Sequence, residues 1–477
     1  MTEPAGPSTK PTPAGAAAAA GGGMMALARR LYPICRSITG DGVRETLRIL
    51  GERIPLELHE VPSGTPVFDW TVPDEWNIRD AWVRDPSGER VVDFRASNLH
   101  VLNYSAPVRR RLSLAELRPR LHTLPERPDW TPYRTSYYKR TWGFCLSQRR
   151  LESLPEGDYE VAVESSLEPG HLTWGECLLP GASTDEVLIS CHVCHPSLAN
   201  DNLSGIAVCT FLAAALAGVE RRLTYRFVFI PGTIGSITWL AANERAAGRI
   251  RAGLVAANLG DPGGFHYKSS RRGDARIDRA VGLALTEAGE PFTTEGFVPY
   301  GYDERQYCSP GFDLPVGSLT RTPYGRYPEY HSSADNLDLL RPESLAGSLA
   351  IYRRVCELLE TRDALAPIAG AEGARSGSDR GDGEQVGSPA DLPAGAERRF
   401  VNLNPKCEPQ LGKRGLYGSL GGSDAGRERQ LALLWVLNLS DGEHTLAAIA
   451  ERSGLGLAAV EEAVDRLLAA ELLRPAE

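Results

Sequence analysis

The sequence predicts an α/β protein with a layered central sheet, a β-rich insertion and a winged helix-turn-helix at its C terminus. First, strand-like and helix-like apolar segments alternate from residue 187 onwards, which is typical of a sheet covered by helices. Second, short apolar runs separated by turn-forming residues fill residues 68–181. Third, a compact helical unit follows a Gly- and Ala-rich stretch near the end. A chain of 477 residues has room for all three units.

The N-terminal region divides into a tail of small residues and a helical segment. Residues 1–24 are rich in Ala, Gly, Pro, Ser and Thr, a composition typical of disorder. They lack a basic start followed by a long apolar run, so we expect no secretory signal. Residues 25–51 have apolar side chains at helical spacing, interrupted by the turn-like residues 39–42. We assign residues 25–67, together with residues 182–362, to the core domain.

The core domain is interrupted by the predicted β-rich domain, residues 68–181, and then continues as alternating strands and helices. The predicted strands are residues 187–190, 225–230 and 254–257. The predicted helices are residues 205–216, 237–247, 280–288 and 342–359.

The C-terminal region is predicted to be a linker followed by a small helical domain. Residues 363–398 are rich in Gly, Ala, Ser and Pro with mixed charge, as in flexible linkers. Residues 399–477 contain three helical segments, with Ser453 and Gly454 between the second and the third. Two short helices around a Gly turn, followed by an apolar exit, are typical of a winged helix-turn-helix.

Composition limits the classes of partner. The net charge of −9 disfavours a general binder of nucleic acid or of anionic membranes. We find no run of about 18 apolar residues, so we expect no membrane span. Nine cysteines, an odd number scattered over a long chain, fit a reducing compartment, and we therefore expect a cytoplasmic protein. The oligomeric state, a homo-oligomer included, stays open.

Four residues of metal-ligand type lie in loops that follow predicted strands: His192, Asp201, Asp261 and His331. Each of them alone is most simply a structural histidine or a helix cap. Together they point to a metal centre, because ligand sites gather at the carboxyl ends of strands in α/β sheets and zinc accepts imidazole and carboxylate ligands. His195, three residues after His192, is either a further ligand or a group that supports one of the ligands from behind.

Conspicuous polar motifs follow the predicted strands: SCH at 190–192, ANDNLSG at 199–205 and YHSSAD at 330–335. These motifs resemble the zinc aminopeptidase family with bridged two-metal sites. Four longer stretches, PYRTSYY at 132–138, CHPSLAND at 194–201, TIGSI at 233–237 and DERQYCSPG at 303–311, resemble more closely a bacterial group of aminopeptidase-like proteins often encoded with polysaccharide or natural-product biosynthesis. The resemblance covers residues 31–359, and the C-terminal unit also resembles the winged helix of that group.

The resemblance implies a three-layer, aminopeptidase-like core with a mixed sheet and one or two zinc ions as cofactor. It implies that His192, Asp201 and Asp261 hold one ion, and that Asp201 bridges to a second ion shared with His331. The implied substrate is small and peptide-like or aminoacylated.

The sequence departs from the family at the Glu-Glu pair that supplies the general base and a metal ligand. These two positions fall on Gly232 and Thr233, neither of which can replace a carboxylate. Losing a general base costs about 10²–10⁴-fold in rate. Asp303 and Glu304 are the candidate substitutes, although a solvated acidic loop is an equally good interpretation of that pair.

Other candidates in the matched motifs have a structural as well as a functional interpretation. Cys194 stands where the family has an Asp that orients the histidine, so it is either a further zinc ligand or a buried, inert thiol. Arg305 and Arg321 could receive a substrate carboxylate or lie on the surface. Tyr307 could line a pocket or belong to the core.

Three functions therefore compete. The motif set favours a zinc-dependent amide hydrolase that acts on an aminoacyl or peptidyl intermediate. Gly232 and Thr233 favour a metal-binding recognition module without hydrolase activity. A DNA-binding regulator is disfavoured, because the candidate recognition helix, residues 457–470, carries Glu461, Glu462 and Asp465.

Overall fold

The computed structural model describes residues 12–361, 395–416 and 424–477. The strands are, in chain order, β1 (Glu57–Pro62), β2 (Pro66–Val67), β3 (Trp70–Thr71), β4 (Glu75–Arg84), β5 (Arg90–Asp93), β6 (Val108–Ser113), β7 (Leu121–His122), β8 (Phe144–Cys145), β9 (Asp158–Glu168), β10 (His171–Leu179), β11 (Glu186–His192), β12 (Thr224–Ile230), β13 (Ile250–Ala256), β14 (Phe265–Lys268), β15 (Phe292–Glu295), β16 (Val316–Thr320), β17 (Arg399–Asn402), β18 (Asp441–Thr445) and β19 (Leu473–Pro475). The α-helices are α1 (Pro13–Leu31), α2 (Asp41–Gly51), α3 (Leu114–Leu117), α4 (Gln148–Glu152), α5 (Gly205–Ala217), α6 (Ile234–Ala242), α7 (Glu244–Ala247), α8 (Arg276–Ala288), α9 (Glu304–Tyr307), α10 (Pro342–Glu360), α11 (Asp424–Leu439), α12 (Leu446–Ser453) and α13 (Leu457–Ala469).

The core is an eight-stranded mixed sheet with the strand order β1-β10-β12-β11-β13-β16-β14-β15. Its centre is parallel: β11 pairs in parallel with β12 and β13, and β13 pairs in parallel with β16. The flanking pairs β10 with β12 and β14 with β16 are antiparallel. Strands β11 and β12 are buried along their whole length, as expected for strands covered on both faces. The predicted mixed α/β fold is confirmed.

Two layers cover this sheet. Alternate residues of β11 point to opposite sides, so that Ile189 packs in one apolar cluster with α1, α5, α8 and α10, while Leu188 packs in the other with α6. The second cluster also contains the apolar residues of the C-terminal domain. The protein therefore has the three layers that a doubly covered sheet requires. Within the described residues, the helical stretch Ala199–Ala217 is long and apolar enough to cross a membrane, but 83% of its apolar window is buried inside the protein, as in a core helix.

The N-terminal tail differs from the prediction over residues 13–24. These residues belong to α1, which begins with Thr12 as its N-cap and Pro13 in its first turn. The alanines favour a helix, and the buried Met24 and Leu31 pack it into the core. Packing thus outweighs the glycine content on which the expectation of disorder rested. Residues 1–11 lie outside the described part of the chain.

The inserted domain is β-rich, but its C-terminal boundary lies earlier than residue 181. Its main sheet is antiparallel, with the order β5-β4-β9-β6. Strand β10 follows β9 after a turn and leaves this domain, because it pairs with β1 and β12 of the core sheet. A sequence pattern shows that a segment is a strand, but it does not show which sheet the strand joins.

The C-terminal domain consists of helices α11, α12 and α13 and the three-stranded sheet β18-β17-β19. The winged helix-turn-helix is confirmed. The domain is docked on the core through a shared apolar cluster, in which Trp435 packs edge-on against Phe297. Arg271 of the core also donates hydrogen bonds to the side chain and the backbone carbonyl of Asn438, at 2.9 and 3.1 Å. Most of the predicted linker, 363–398, lies outside the described residues.

Candidate metal centre

The candidate site forms at the carboxyl end of the central strand β11. His192 is the last residue of β11, and the chain then runs through residues 193–198 into an irregular helical turn, Ala199–Ser204, that leads into α5. Asp201 lies within this turn and is fully buried. The parallel arrangement of β11, β12 and β13 brings the ends of these strands to one edge, where α/β proteins place their ligands.

Three histidines converge on the carboxylate of Asp201. His192 Nε2 lies 2.8 Å from Asp201 Oδ1. His195 Nδ1 lies 3.2 Å from Oδ2 of the same carboxylate, and His331 Nε2 lies 3.0 Å from it. The rings of His195 and His331 are 5.1 Å apart and nearly perpendicular. His192 and His331, which are 139 positions apart in the sequence, thus meet at one buried carboxylate.

The turn that carries Asp201 is fixed by a second buried carboxylate, Asp335. Its two oxygens accept hydrogen bonds from the backbone N–H groups of Asn200, at 2.6 Å, and of Asp201, at 3.0 Å. Burial raises the pKa of Asp335 to about 7, and the nearby Asp201 charge adds to this effect. Asp335 therefore holds the turn in place from behind, without joining the histidine cluster.

The inserted domain completes the site through Tyr133. Its backbone N–H donates a 2.7 Å hydrogen bond to the carbonyl of His331, whose backbone has a positive φ of 54°. Its ring packs edge-on against His195 and His331, with centroids 5.2 and 5.0 Å away. Thr131 and Ser333 exchange two further hydrogen bonds beside it. The sequence contains the tyrosine in a matched motif, but only the fold shows that it supports a histidine 198 positions later.

Burial and the negative charge of Asp201 have opposite effects on the pKa values of the three histidines: burial lowers them and the charge raises them. Burial lowers the pKa of His192 and of His331, which favours the neutral, ligating form of imidazole. At His195 burial also acts to lower the pKa, but the attraction of Asp201 outweighs it and the pKa is raised. The pKa of Asp201 is well below its usual range despite its burial, since the three imidazoles favour its ionised form.

The donor atoms suit a metal ion. The ligand atoms of His192, His195 and Asp201 all lie within 4.8 Å of one another. The imidazole-to-carboxylate separations of 2.8–3.2 Å approach the edges, about 3.3 Å, of a tetrahedron with metal bonds of about 2.0 Å. Within the described residues, Asp201 Oδ2 and His331 Nε2 are buried but have no hydrogen bond of normal geometry, although they face each other. A cation bound between the two atoms would satisfy both.

Asp261 lies outside this cluster. Its Oδ1 accepts hydrogen bonds from Thr322 Oγ1 at 2.5 Å and from the N–H of Gly263 at 2.8 Å. Its Oδ2 accepts hydrogen bonds from Asn200 Nδ2 at 3.0 Å and from the N–H of Thr322 at 3.2 Å. Both oxygens are thus occupied, and the side chain links the Asp201 turn to the loop after β16.

The position of the missing general base faces another carboxylate, that of Asp303. A Cβ atom on Gly232 would lie 3.2 Å from His192 Cβ and 3.5 Å from Asp303 Oδ1. Asp303 is 1% exposed, and its Oδ1 accepts a 3.0 Å hydrogen bond from Ser236 Oγ. Its Oδ2 is buried and has no hydrogen-bond partner in the described part of the chain. Burial raises the pKa of Asp303 to about 7, with a smaller contribution of the same sign from Glu304.

Glu304, the neighbour of Asp303, has a different environment. It is fully buried and forms an ion pair with Lys268. Lys268 also donates a 2.8 Å hydrogen bond to the carbonyl of Tyr300. Both carboxylate oxygens of Asp303 lie within 3.6 Å of the Gly232 Cβ position. One oxygen of Glu304 is paired with Lys268, and the other, Oε2, is buried without a hydrogen-bond partner among the described residues. Thr233, at the place of the second family glutamate, occupies the N-cap position of α6 without a capping hydrogen bond from its side chain.

The remaining predicted residues have structural surroundings. Cys194 is buried and its thiol lies 3.7 Å from the carbonyl of Gly232. Tyr307 is fully buried, with its hydroxyl 2.9 Å from Ser190 Oγ. Arg321 donates hydrogen bonds to Gly263 O and to Ser348 Oγ and lies over the ring of Phe265. Arg305 forms a 2.7 Å ion pair with Glu408 of the C-terminal domain. Of these four side chains, the Cys194 thiol interacts with His195 and adds to the rise in the pKa of that imidazole. The structure shows no contact of Tyr307, Arg321 or Arg305 with the three histidines among the described residues.

Tyrosines that sequence reasoning considered only as a group surround the cluster. Tyr302 stacks on His192, with centroids 5.6 Å apart, and Tyr330 stacks on His331 at 3.9 Å. Tyr324 packs between them, edge-on to Tyr302 at 5.1 Å. All three are partly exposed, so they form an aromatic rim.

Comparison with known proteins agrees with this architecture. Residues 25–362 match the family described as Domain of unknown function (DUF4910), and residues 398–475 match a winged helix-turn-helix family. A Clostridium acetobutylicum protein, named as a putative polysaccharide biosynthesis protein with aminopeptidase-like domain, is 47% identical over 448 residues, which are 94% of this chain and 95% of that one.

Solved structures show the same relationship. The crystal structure of a putative peptidase from Clostridium acetobutylicum matches with a TM-score of 0.71 and 45% identity, over 96% of this chain and 97% of that one. A zinc aminopeptidase from Bacillus subtilis matches with a TM-score of 0.54 and 12% identity, over 71% of this chain and 93% of that one, which shows the fold alone. The chain therefore belongs to the DUF4910 family and is an aminopeptidase-like protein with a C-terminal winged helix-turn-helix.

Proposed function

We propose that this protein is a zinc-dependent amide hydrolase that acts on an aminoacyl or peptidyl intermediate of a biosynthetic pathway. One observation carries the proposal: three imidazoles converge on the buried Asp201 carboxylate, and a second carboxylate, that of Asp303, faces the position of the missing general base. A metal centre and a proton acceptor side by side are the two components that metal-assisted amide hydrolysis needs.

The donor set supports a single zinc ion. His192, His195 and Asp201 supply two imidazole nitrogens and a carboxylate within 4.8 Å of one another, which are typical zinc ligands. His331 is outside that group, but its Nε2 lies 3.0 Å from Asp201 Oδ2 and offers a further donor at the same carboxylate. In the arrangement that the resemblance implies, a bridged pair would need Asp261 at the ion held by His192 and a carboxylate at position 233 at the ion shared with His331. The oxygens of Asp261 already accept four hydrogen bonds, and position 233 is a threonine. We therefore expect one ion rather than a bridged pair.

Zinc and Asp303 have different roles in the proposed hydrolysis of an amide. When bound, zinc supplies a Lewis acid for the amide carbonyl and favours ionisation of a water molecule. Asp303 accepts a proton from the attacking water at Oδ2, which has no other partner among the described residues, while Ser236 holds Oδ1. The same carboxyl group then gives that proton to the leaving amine nitrogen, so that amide and water become acid and amine. The raised pKa of Asp303 suits both steps near neutral pH.

The surroundings of the site support a small substrate, and the free cysteines support a cytoplasmic location. The rim of Tyr302, Tyr324 and Tyr330 offers partly exposed ring faces to an apolar or cyclic group. The 47% identical relative is named as a polysaccharide biosynthesis protein, which supports a biosynthetic intermediate rather than dietary or structural peptide as substrate. All nine cysteines are free, as is usual in a reducing compartment.

A second candidate function is a metal-binding recognition module without turnover. The observation in its favour is the replacement of the family Glu-Glu pair by Gly232 and Thr233. Metal analysis and a panel of aminoacyl p-nitroanilides, peptides and N-acylated sugars separate the two candidates. The hydrolase proposal expects about one zinc per chain and turnover of at least one amide class that Asp303→Asn removes. Bound zinc with no turnover on the whole panel would leave the recognition module.

A further inference from the structure

The short helix α9 joins the candidate general base to the C-terminal domain. Asp303 is the N-cap of α9, and its backbone carbonyl accepts hydrogen bonds from the N–H groups of Gln306 and Tyr307. A four-residue helix has too few internal hydrogen bonds to be stable alone, so its position depends on what packs against it.

Residues 405–408 of the C-terminal domain pack along the far side of α9. Gln306 Oε1 accepts a 2.8 Å hydrogen bond from the N–H of Glu408, and Ser309 Oγ accepts a 2.9 Å hydrogen bond from the N–H of Cys407. The N–H of Gly311 donates a 2.7 Å hydrogen bond to the carbonyl of residue 405. Arg305 and Glu408 also form a 2.7 Å ion pair, and their side chains are only 16% and 8% exposed.

The same segment is anchored on the inserted domain. Trp70 Nε1 donates a 2.7 Å hydrogen bond to the carbonyl of Glu408. Asp69 Oδ2 accepts a 2.7 Å hydrogen bond from the N–H of Gln410, and Arg414 forms an ion pair with the same carboxylate. The segment 405–410 is thus held between α9 and the insertion, so that Glu408 cannot move away without breaking contacts on both sides.

We infer that Glu408 is a positioning residue for the hydrolytic site: it holds Arg305, Arg305 holds α9, and α9 holds the Asp303 carboxylate beside Gly232. The inference rests on the proposed role of Asp303. The winged helix-turn-helix domain thus contributes to catalysis in the core domain, because it supplies the residue that fixes the position of the general base. A displacement of a reacting group by about 1 Å can cost about 10²-fold in rate, so a loosened α9 lowers kcat without removing any group from the site.

The test compares Glu408→Ala with two other variants in the full-length protein. Glu408→Ala removes the carboxylate that pairs with Arg305, and we expect kcat to fall about 10- to 100-fold with KM within about twofold and with zinc content unchanged. The charge-exchange variant, Arg305→Glu with Glu408→Arg, is expected to recover most of kcat. The control Lys406→Ala breaks a neighbouring ion pair with Glu244 of α7 and is expected to leave kcat unchanged.

Two outcomes would overturn the inference: a Glu408→Ala protein with unchanged kcat, or one that loses zinc and unfolds as a whole, which would make Glu408 merely structural. Amide hydrogen exchange supplies a readout that does not depend on turnover. We expect faster exchange at residues 304–309 in Glu408→Ala and unchanged exchange at residues 199–204. If the wild-type protein shows no turnover, the proposed function fails, and unchanged exchange at residues 304–309 would then refute the positioning role separately.

Discussion

A Cβ atom on Gly232 would lie 3.5 Å from Oδ1 and 3.6 Å from Oδ2 of Asp303. The Asp303 carboxylate therefore lies beside the space into which a side chain at position 232, just after β12, would extend. In the zinc aminopeptidases that this chain resembles, the residue at the position of Gly232 is a glutamate. Here the side chain is absent and a carboxylate reaches the same space from α9. The departure in sequence at Gly232 is therefore matched by a carboxylate from a distant part of the chain.

Removing this carboxylate should remove turnover but not the metal. We expect Asp303→Asn to lower kcat by about 10²–10⁴-fold, because an amide cannot accept the proton of the attacking water. Zinc content, measured by mass spectrometry of the metal, should stay at the wild-type value, since the three histidines and Asp201 are untouched. Asp338→Asn, an identical change at an exposed residue, is the control. A fully active Asp303→Asn protein would exclude Asp303 as the base.

The same substitution should make the metal-free protein more stable at high pH. The pKa of Asp303 is raised by burial to about 7 in the folded state, against about 3.9 unfolded, so the folded state binds more protons between these values and stability falls as pH rises. At pH 8.5 the ionised, buried carboxylate costs on the order of 2–4 kcal/mol, which Asp303→Asn relieves. Urea unfolding of chelator-treated protein should show this gain at pH 8.5 and a smaller one at pH 5.5. Equal gains at both pH values would contradict the raised pKa.

The pH dependence of turnover should have an acidic limb. Asp303 acts as a base only when ionised, so kcat/KM is expected to fall as pH decreases through its pKa. Glu304 raises this pKa, whereas Ser236, Arg305 and His195 lower it, and a bound cation lowers it further, which places the limb at or below pH 7. Replacing Ser236 by alanine removes a hydrogen bond to the ionised form and should move the limb to higher pH. A limb that does not move in this variant would point to another base.

The strands and helices of the core can be predicted from the sequence, because local patterns of apolar residues identify them. Strands β11 and β12 are short apolar runs buried on both faces, α5 is a longer, almost entirely apolar run, and α10 has apolar residues at helical spacing, so each is recognisable without its neighbours. Helix α1 was missed over residues 13–24, since only its packing on the core distinguishes it from an Ala- and Gly-rich tail.

The site is less predictable, because which ligand-type residues meet depends on contacts between distant segments. His192 and Asp201 belong to one loop, and the structure brings His331 to them. The role of Asp261 cannot be deduced from its place after a strand, since its hydrogen bonds come from residues 200 and 322. Likewise Asp303 and Glu304 are indistinguishable in sequence, and only the ion pair of Glu304 with Lys268 separates them.

Two aspartates that look alike in sequence should respond differently to the same substitution. Asp201→Asn removes the carboxylate on which three imidazoles converge, and we expect zinc affinity to fall by at least about 100-fold. Asp261→Asn retains an oxygen for Thr322 and Gly263, so we expect a loss of at most about 10-fold. Competition with a chromogenic chelator measures both. An equal loss in the two variants would show that Asp261 is a ligand and that its hydrogen bonds rearrange when the ion binds.

The winged helix-turn-helix domain should not bind DNA, because its candidate recognition helix α13 presents acidic side chains to solvent. Glu462 and Asp465 are exposed, and Glu461 forms an ion pair with Arg398, so the surface repels phosphates. We expect the full-length protein to give no gel shift with duplex DNA of random sequence at 50 or 150 mM salt. The double variant Glu462→Lys with Asp465→Lys reverses the charge of this face, and it should gain weak binding that disappears as salt is raised. Salt-sensitive binding by the wild-type protein would instead assign the domain to DNA, and it would show that the positive potential comes from other residues than those of α13.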